Sequence, residues 1–317
     1  MKKFFLITID TEGDNLWGWK KGDEICTKNV NYLSRFQKLC ETYGFKPVWL
    51  SNYEMISDPA FVEFICDVEN RKVGELGMHL HAWNNPPEYN LETFYSEAPY
   101  LIEYPFNVME NKLSFLLSFV KEKTGITPIS HRAGRWAMND DYFDLLIKYG
   151  FKVDCSVTPH IDWSAHVGET KGSRGANYSF SSEKPFWFNG YDGRKRLLEV
   201  PVTIRKTKNI IFPESFSIKN IAKSLYKFIK RSPLWLRPTG RNLKEMLYIV
   251  RIVEKSDDDY LMFMLHSSEL MPGGSPNFKN EKEIEKLYKD IDVLFRRLSK
   301  QFIGITLRDY FAMKKGD

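Results

Sequence analysis

Three times along this chain a helical stretch stops at a glycine and an apolar extended run begins immediately after it: Tyr43-Gly44-Phe45, Thr124-Gly125-Ile126 and Tyr149-Gly150-Phe151. Glycine just past a helix end adopts the left-handed conformation that other residues resist, so each triplet marks a helix stopping and a strand starting. A chain built on that grammar alternates helix and strand, which confines it to α/β architectures. Strand candidates are Lys3 to Ile9, Pro47 to Leu50, Val73 to His81, Ile129 to Ala133, Phe151 to Val157, Leu197 to Thr203, Tyr260 to His266 and Phe302 to Thr306. Several are almost unbroken apolar runs, as expected of parallel strands covered on both faces. Between them, patterns such as Ile284, Leu287, Ile291, Leu294, Phe295 and Leu298 place apolar side chains on one helix face. The expected fold class is α/β, a distorted (β/α) barrel of about seven strands with long inserted loops.

At 317 residues the chain is expected to be a single domain, 1–317, with a basic helical insertion around 213–256. The alternation breaks twice more, over Ala82 to Phe106 and Thr158 to Arg196, and loops of that length inside a compact domain are usually functional or mobile. The hydrophobic share of 43% and charged share of 27% are those of folded globular proteins, and exclude a disordered or fibrous chain. Met1-Lys2-Lys3 followed by Phe4 to Ile9 starts like a signal peptide, but Asp10 and Glu12 interrupt the run before a cleavage-type sequence appears. No stretch approaches the roughly 18 to 20 apolar residues of a membrane-spanning helix. A cytoplasmic location is expected, with a peripheral position at the inner membrane face as a further option. Cys26, Cys40, Cys66 and Cys155 contain no C-x-x-C pair and read as reduced thiols. A net charge of +5, much of it in one stretch, argues against a general nucleic-acid binder.

Polar residues able to do chemistry gather at the ends of the predicted strands. Asp10 and Glu12 follow the first, His79 and His81 end the third, Arg132 lies on the fourth, and His266 closes the late one. In β/α barrels the C-terminal strand ends form the active-site face, so residues distant in sequence converge there. His79 and His81, two apart on extended backbone, share a side of the sheet. With one carboxylate, from Glu12 or Asp14, they form a two-imidazole, one-carboxylate set suited to a divalent ion, zinc first. The plainer alternative makes one histidine a ligand and the other a hydrogen-bonded wall residue. Asp10 and Glu12, standing alone, are equally well read as capping or loop residues, and His266 as a histidine satisfied by backbone. Arg132, rather than Arg135, is placed to hold a carboxylate ionised.

Ile7-Thr8-Ile9-Asp10-Thr11-Glu12, Gly77-Met78-His79-Leu80-His81-Ala82-Trp83, His131-Arg132-Ala133-Gly134-Arg135-Trp136 and Leu265-His266-Ser267-Ser268 follow one another in an order that resembles the polysaccharide deacetylase family. That family is the NodB-homology or carbohydrate esterase family 4 type, and the wording around His79 and His266 is similar to its WalW-type branch, found in surface-polysaccharide gene clusters. The resemblance covers most of the chain. It implies a metal-dependent hydrolase acting on the N-acetyl, or a related acyl, group of an amino sugar. It further implies Asp10 as catalytic base, Glu12, His79 and His81 as metal ligands, His266 as catalytic acid, and Arg132 positioning Asp10. An acidic residue orienting the catalytic histidine is implied too, for which Asp154 and Asp162 are the candidates. This chain departs from the usual pattern in offering Glu12 where an aspartate is common, and histidines two apart rather than four.

Trp17, Trp19, Trp83, Trp136 and Trp163 flank these motifs, and flat rings suit the apolar faces of sugars, although ordinary packing is the default reading of each and none is assigned singly to binding. From Lys219 to Lys255 there are ten basic and two acidic residues, with Leu225, Phe228, Ile229, Leu234 and Trp235 interleaved. The default reading is a solvated helical face, and the sharper one is docking on an anionic membrane surface. Two other functions compete: a deformylase or other amidohydrolase on a nucleotide- or lipid-linked sugar, and a catalytically silent carbohydrate-binding protein on the same barrel.

Overall fold

The structure, a computed structural model, describes residues 3–14, 16, 18–95, 97–191, 193, 196–206 and 217–315, without the side chains of Lys227 and Phe228. Trp17 and residues 213–216 of the basic stretch lie outside the described residues. The strands are β1 (Lys3–Thr11), β2 (Pro47–Ser51), β3 (Glu75–Leu80), β4 (Ser130–Ala133), β5 (Val153–Asp154), β6 (Phe186–Asn189), β7 (Arg196–Glu199), β8 (Ile204–Lys206), β9 (Pro233–Trp235), β10 (Tyr260–His266) and β11 (Phe302–Gly304). The helices are α1 (Val30–Thr42), α2 (Tyr53–Ser57), α3 (Pro59–Asn70), α4 (Phe106–Thr124), α5 (Asp140–Lys148), α6 (Ile218–Lys230), α7 (Leu243–Lys255), α8 (Glu281–Leu298) and α9 (Leu307–Lys314).

Among the described residues, nine strands form one sheet in the order β10-β1-β2-β3-β4-β5-β7-β6, with β11 also on β1. All of these pairs are parallel except β6 with β7. Among the described residues no ladder joins β7 to β10. Single bonds span the gap instead, from Met262 N–H to Thr203 Oγ1 (2.8 Å) and Met264 N–H to the Leu236 carbonyl (3.3 Å). That opening is the distortion of the barrel. β8 and β9 form a separate antiparallel pair.

The two-residue period of each strand sorts its side chains between two apolar layers. Phe5, Ile7 and Ile9 of β1, with Leu261, Phe263 and Leu265 of β10, pack outward against helices such as α1 and α8. Leu6 of β1 and Met262 and Met264 of β10 pack inward. All six residues of the α8 pattern read from the sequence are buried, and Asn280 caps that helix by accepting the Glu283 N–H (3.1 Å). Gly125 ends α4 at φ 73°, as its position after a helix requires.

Five expected strands are shorter than read, β5 and β7 by the most at their C-terminal ends. β5 stops at Asp154 because side-chain carboxylates take the next backbone N–H groups: Asp154 that of Ser156 (2.9 Å) and Glu199 that of Val157 (2.9 Å). β7 stops before Pro201, which has no N–H to donate. β6, β8 and β9 were not anticipated. The last two have three residues each, too few to show a period.

Candidate active site

The inward-facing positions at the C-terminal strand ends carry the chemistry. Asp10 and His266 are partners in the β1–β10 register, and His79 and Arg132 in the β3–β4 register. Arg132 is fully buried, and each end of its guanidinium is bonded: Nη1 donates to Asp10 Oδ1 (2.5 Å), Nη2 to Thr8 Oγ1 (2.8 Å) and Nε to the Cys155 carbonyl (3.1 Å). Thr8 and Asp10 lie on the same face of β1, so one arginine holds both. Burial by itself favours a protonated Asp10, but the positive charge of Arg132, with His79 and His266 beside it, holds the carboxyl below its usual range and therefore ionised.

Glu12, His79 and His81 are buried and present ligand atoms all within 4.8 Å of one another. Glu12 Oε2 lies 3.3 Å from His81 Nε2 and 3.6 Å from His79 Nε2. The His79 Nδ1–H donates to the Arg132 carbonyl (2.9 Å), a bond that fixes the tautomer leaving Nε2 free to ligate. His81 is driven well below its ordinary value by burial and by the neighbouring cationic groups, and so stays neutral, as a ligand must. Its ring is stacked on Trp83 with centroids 4.3 Å apart. Burial opposes a charge on His79, but Asp10 and Glu12 outweigh it and raise the ring's affinity for a proton. A proton and a metal ion satisfy that preference equally, so the donor set fits a divalent ion. The carboxylate of this group is that of Glu12, not Asp14.

The Glu12 backbone is tied down as well. Its N–H donates to Ser267 Oγ (3.1 Å), and its carbonyl accepts from Ser267 Oγ (3.1 Å) and Asn29 Nδ2 (2.8 Å). Glu54 accepts the next N–H, from Gly13 (3.0 Å), and also the Asn84 amide (2.5 Å), so it joins the loops after β1 and β3.

His266 sits across the site with Nε2 at 3.7 Å from Asp10 Oδ2 and 3.9 Å from Glu12 Oε1. Its Nδ1 faces Glu269 Oε2 (3.2 Å) and Arg237 Nη2 (3.1 Å), and Glu269 also accepts the His266 N–H (3.0 Å). Glu269 therefore occupies the place for which Asp154 and Asp162 were candidates, and neither of those reaches His266. Asp154 points to the opposite face of the sheet, where it bonds His131 Nδ1 (2.7 Å), whose other nitrogen meets the Tyr142 hydroxyl (2.8 Å). Val153 and Cys155 are the inward residues of β5, so Asp154 between them faces the helices. Asp162 is exposed in a loop and accepts the Ser164 N–H (2.9 Å). The sequence signal for Glu269 is its spacing of three from His266, the distance at which a carboxylate closes on a preceding backbone N–H. Arg237 and Glu54 carry no comparable signal.

The two long loops join above the site. Arg135 donates to the carbonyls of Ala98 and Val167 (2.9 Å for the latter), while Glu103 accepts the N–H groups of Glu169 (3.0 Å) and Thr170 (2.7 Å). Arg135 and Trp136 both have positive φ, 55° and 63°, a conformation that is costly outside glycine and clusters at functional sites. Asp10, Glu12, His79, His81 and His266 open into a cleft of about 1100 Å³, walled by Trp19, Trp83, Trp136, Tyr89, Tyr95 and others. Trp163 instead packs against Trp235 and donates to Thr158 Oγ1 (2.9 Å).

No protein-family model matches the chain, and no curated protein matches it in sequence. Solved structures do match in shape. A protein assigned as a polysaccharide deacetylase from Mycobacterium smegmatis superposes with a TM-score of 0.57 at 14% identity, covering 100% of this chain and 92% of that one. The chain has the fold of a polysaccharide deacetylase. A glycoside hydrolase/deacetylase from Parabacteroides distasonis matches with a TM-score of 0.61 at 11% identity over 99% of this chain and 71% of that one. The same architecture extends to a 4-alpha-glucanotransferase from Thermococcus litoralis, with a TM-score of 0.55 at 14% identity over 98% of this chain and 40% of that one.

Proposed function

We propose that this chain is a metal-dependent hydrolase that removes an N-acetyl, or related acyl, group from an amino sugar of a surface polysaccharide or its precursor. Likeness of fold does not choose the reaction, because the same barrel serves a glucanotransferase. The observation that carries the reading is the site itself: the Glu12, His79 and His81 ligand set lies beside an ionised Asp10, with His266 opposite. Glu12, His79 and His81 would hold a metal ion, which when bound would supply Lewis-acid polarisation to an amide carbonyl and to a water. Asp10, kept ionised by Arg132, accepts a proton from that water as its oxygen bonds to the acyl carbon. His266, oriented through Nδ1 by Glu269, donates a proton from Nε2 to the sugar nitrogen as the carbon–nitrogen bond breaks. The products are a carboxylate and a free amino sugar. Aromatic walls around a cleft of this size suit a glycan of several units.

The test is acyl release from N-acetylated amino sugars, free, nucleotide-linked and lipid-linked, by chelated protein before and after zinc is restored. Zinc-dependent acetate release is expected, and formate in its place identifies the deformylase reading. Saturable sugar binding with no release of either acid, metal present, replaces the hydrolase by the silent carbohydrate-binding protein.

A further inference from the structure

We propose that α6 is an in-plane membrane anchor that docks the protein on an anionic lipid surface. The helix starts on Ser217, whose Oγ accepts the Asn220 N–H (3.2 Å). At ~100° per residue, Ile218, Ile221, Ala222, Leu225, Tyr226 and Ile229 share an arc of about 140°, while Lys219, Lys223 and Lys230 crowd together along one border of it. A helix with this pattern in a globular protein turns its apolar arc to the core. α7 does so with Met246, Ile249, Val250 and Val253, and α8 with seven residues from Ile284 to Leu298. α6 does not: Ile218 is 90% exposed, Ile229 68%, Tyr226 59% and Leu225 47%.

The charges identify what covers that arc. No aspartate or glutamate occurs from Ser215 to Lys244, a span holding Arg231, Arg237, Arg241 and Lys244 besides the four lysines of α6. An apolar arc bordered by lysines is the composition that sinks into the headgroup boundary of an anionic bilayer, with ammonium groups at the phosphates and alkyl side chains below. Pairing with a second copy would bring two like-charged borders together. Of the other apolar candidates of the basic stretch, Leu234 is buried and Trp235 is half-buried against Trp136 and Trp163, while the Phe228 side chain lies outside the described residues.

α6 is also connected to the site. It is carried by the β8–β9 arm, Trp235 of β9 meets Trp136 at the cleft wall (ring centroids 6.2 Å apart), and two residues further on Arg237 reaches His266. Docking would thus hold the cleft beside glycans carried on lipid, a consequence that rests on the hydrolase reading, whereas the docking itself does not.

The experiment is flotation of the full chain with vesicles of phosphatidylcholine alone and of phosphatidylcholine mixed with phosphatidylglycerol. The protein should float with the mixed vesicles, sink with the neutral ones, and be released by salt. The Leu225→Ser/Ile229→Ser variant, altered only at exposed positions, should keep its melting temperature and sink. Lys219→Gln/Lys223→Gln should weaken partitioning roughly 20- to 30-fold, two lysines' worth of surface attraction. A wild-type chain that sinks with anionic vesicles, or a serine variant that floats as well as wild type, overturns the proposal. So does sedimentation of a wild-type dimer that the serine variant converts to monomer, because a second copy would then be the occupant.

Discussion

Asp10 and Arg132 are charges taken out of water together, and such a pair persists only where every remaining hydrogen-bonding group is satisfied. Thr8 and the Cys155 carbonyl meet that condition for Arg132, which leaves Asp10 Oδ2 turned towards His266. Asp10→Asn keeps the shape and removes the base, so turnover should fall at least about a hundredfold, while zinc affinity measured by calorimetry stays within a few-fold. Unchanged turnover in that variant takes the proton-accepting role away from Asp10. Glu269 allows a second test. Burial alone would make its carboxyl neutral, but Arg237 and His266 outweigh burial and hold it down to about 2, against an ordinary value of 4.5. A depressed acid contributes stability that is present above its unfolded value and is lost as pH falls towards the folded one, here about 3 kcal/mol between roughly pH 4.5 and pH 2. Glu269→Gln should therefore flatten the acid limb of a urea-unfolding profile. It should also lower kcat with KM little changed, because the residue acts through His266. An acid limb as steep as that of wild type would show that Glu269 is not the charged partner.

Between elements, the tightest constraint is where the turn after β4 crosses the end of β3. A Cβ on Gly134 would fall against the Leu80 carbonyl oxygen and 2.6 Å from His81 Cδ2, so only glycine lets the His81 ring lie flat between this turn and Trp83. Gly134→Ala should shift that ring, weakening zinc affinity more than tenfold and costing about 1–3 kcal/mol of stability, both read by calorimetry. Unaltered zinc affinity would exclude His81 as a ligand. At this scale the sequence was readable wherever an element was long and periodic: β1, β10 and α8 have the side chains and nearly the bounds expected of them. The face of a residue was readable too. Arg132 and Asp10 meet inside the barrel, so His131, next to Arg132, faces out, and Asp154, its register partner, faces out with it. Attending to strand ends without that alternation admits Asp154 to the site; including it sends Asp154 to the helices. Glu269 escaped because it lies in a short turn after β10, where contact depends on three-residue closure rather than on period.

Across the whole molecule, Asp10, Glu12, His79, His81, Arg132 and His266 converge from distant parts of the chain, and that convergence was readable because each lies on, ends or follows a strand legible in the sequence. The roof was not visible. Arg135 on the two loop carbonyls, and Glu103 on the backbone of Glu169 and Thr170, join segments without period, and only the folded path brings them together. An ion held by Glu12, His79 and His81 would tie the end of β1 to the end of β3, and a ligand that binds only the folded chain stabilises it by mass action. Zinc at about 100 times its Kd should add about 2.7 kcal/mol to the chelated protein and raise its melting temperature by several degrees. Because Asp10 and Glu12 favour a proton on His79, zinc must displace that proton, so the gain should grow with rising pH and shrink in acid. Glu12→Gln should lose the gain while its chelated form melts close to chelated wild type. A gain that survives in Glu12→Gln would place the ion on other residues, whereas no gain in wild type would leave a barrel that binds sugars without a metal to act on them.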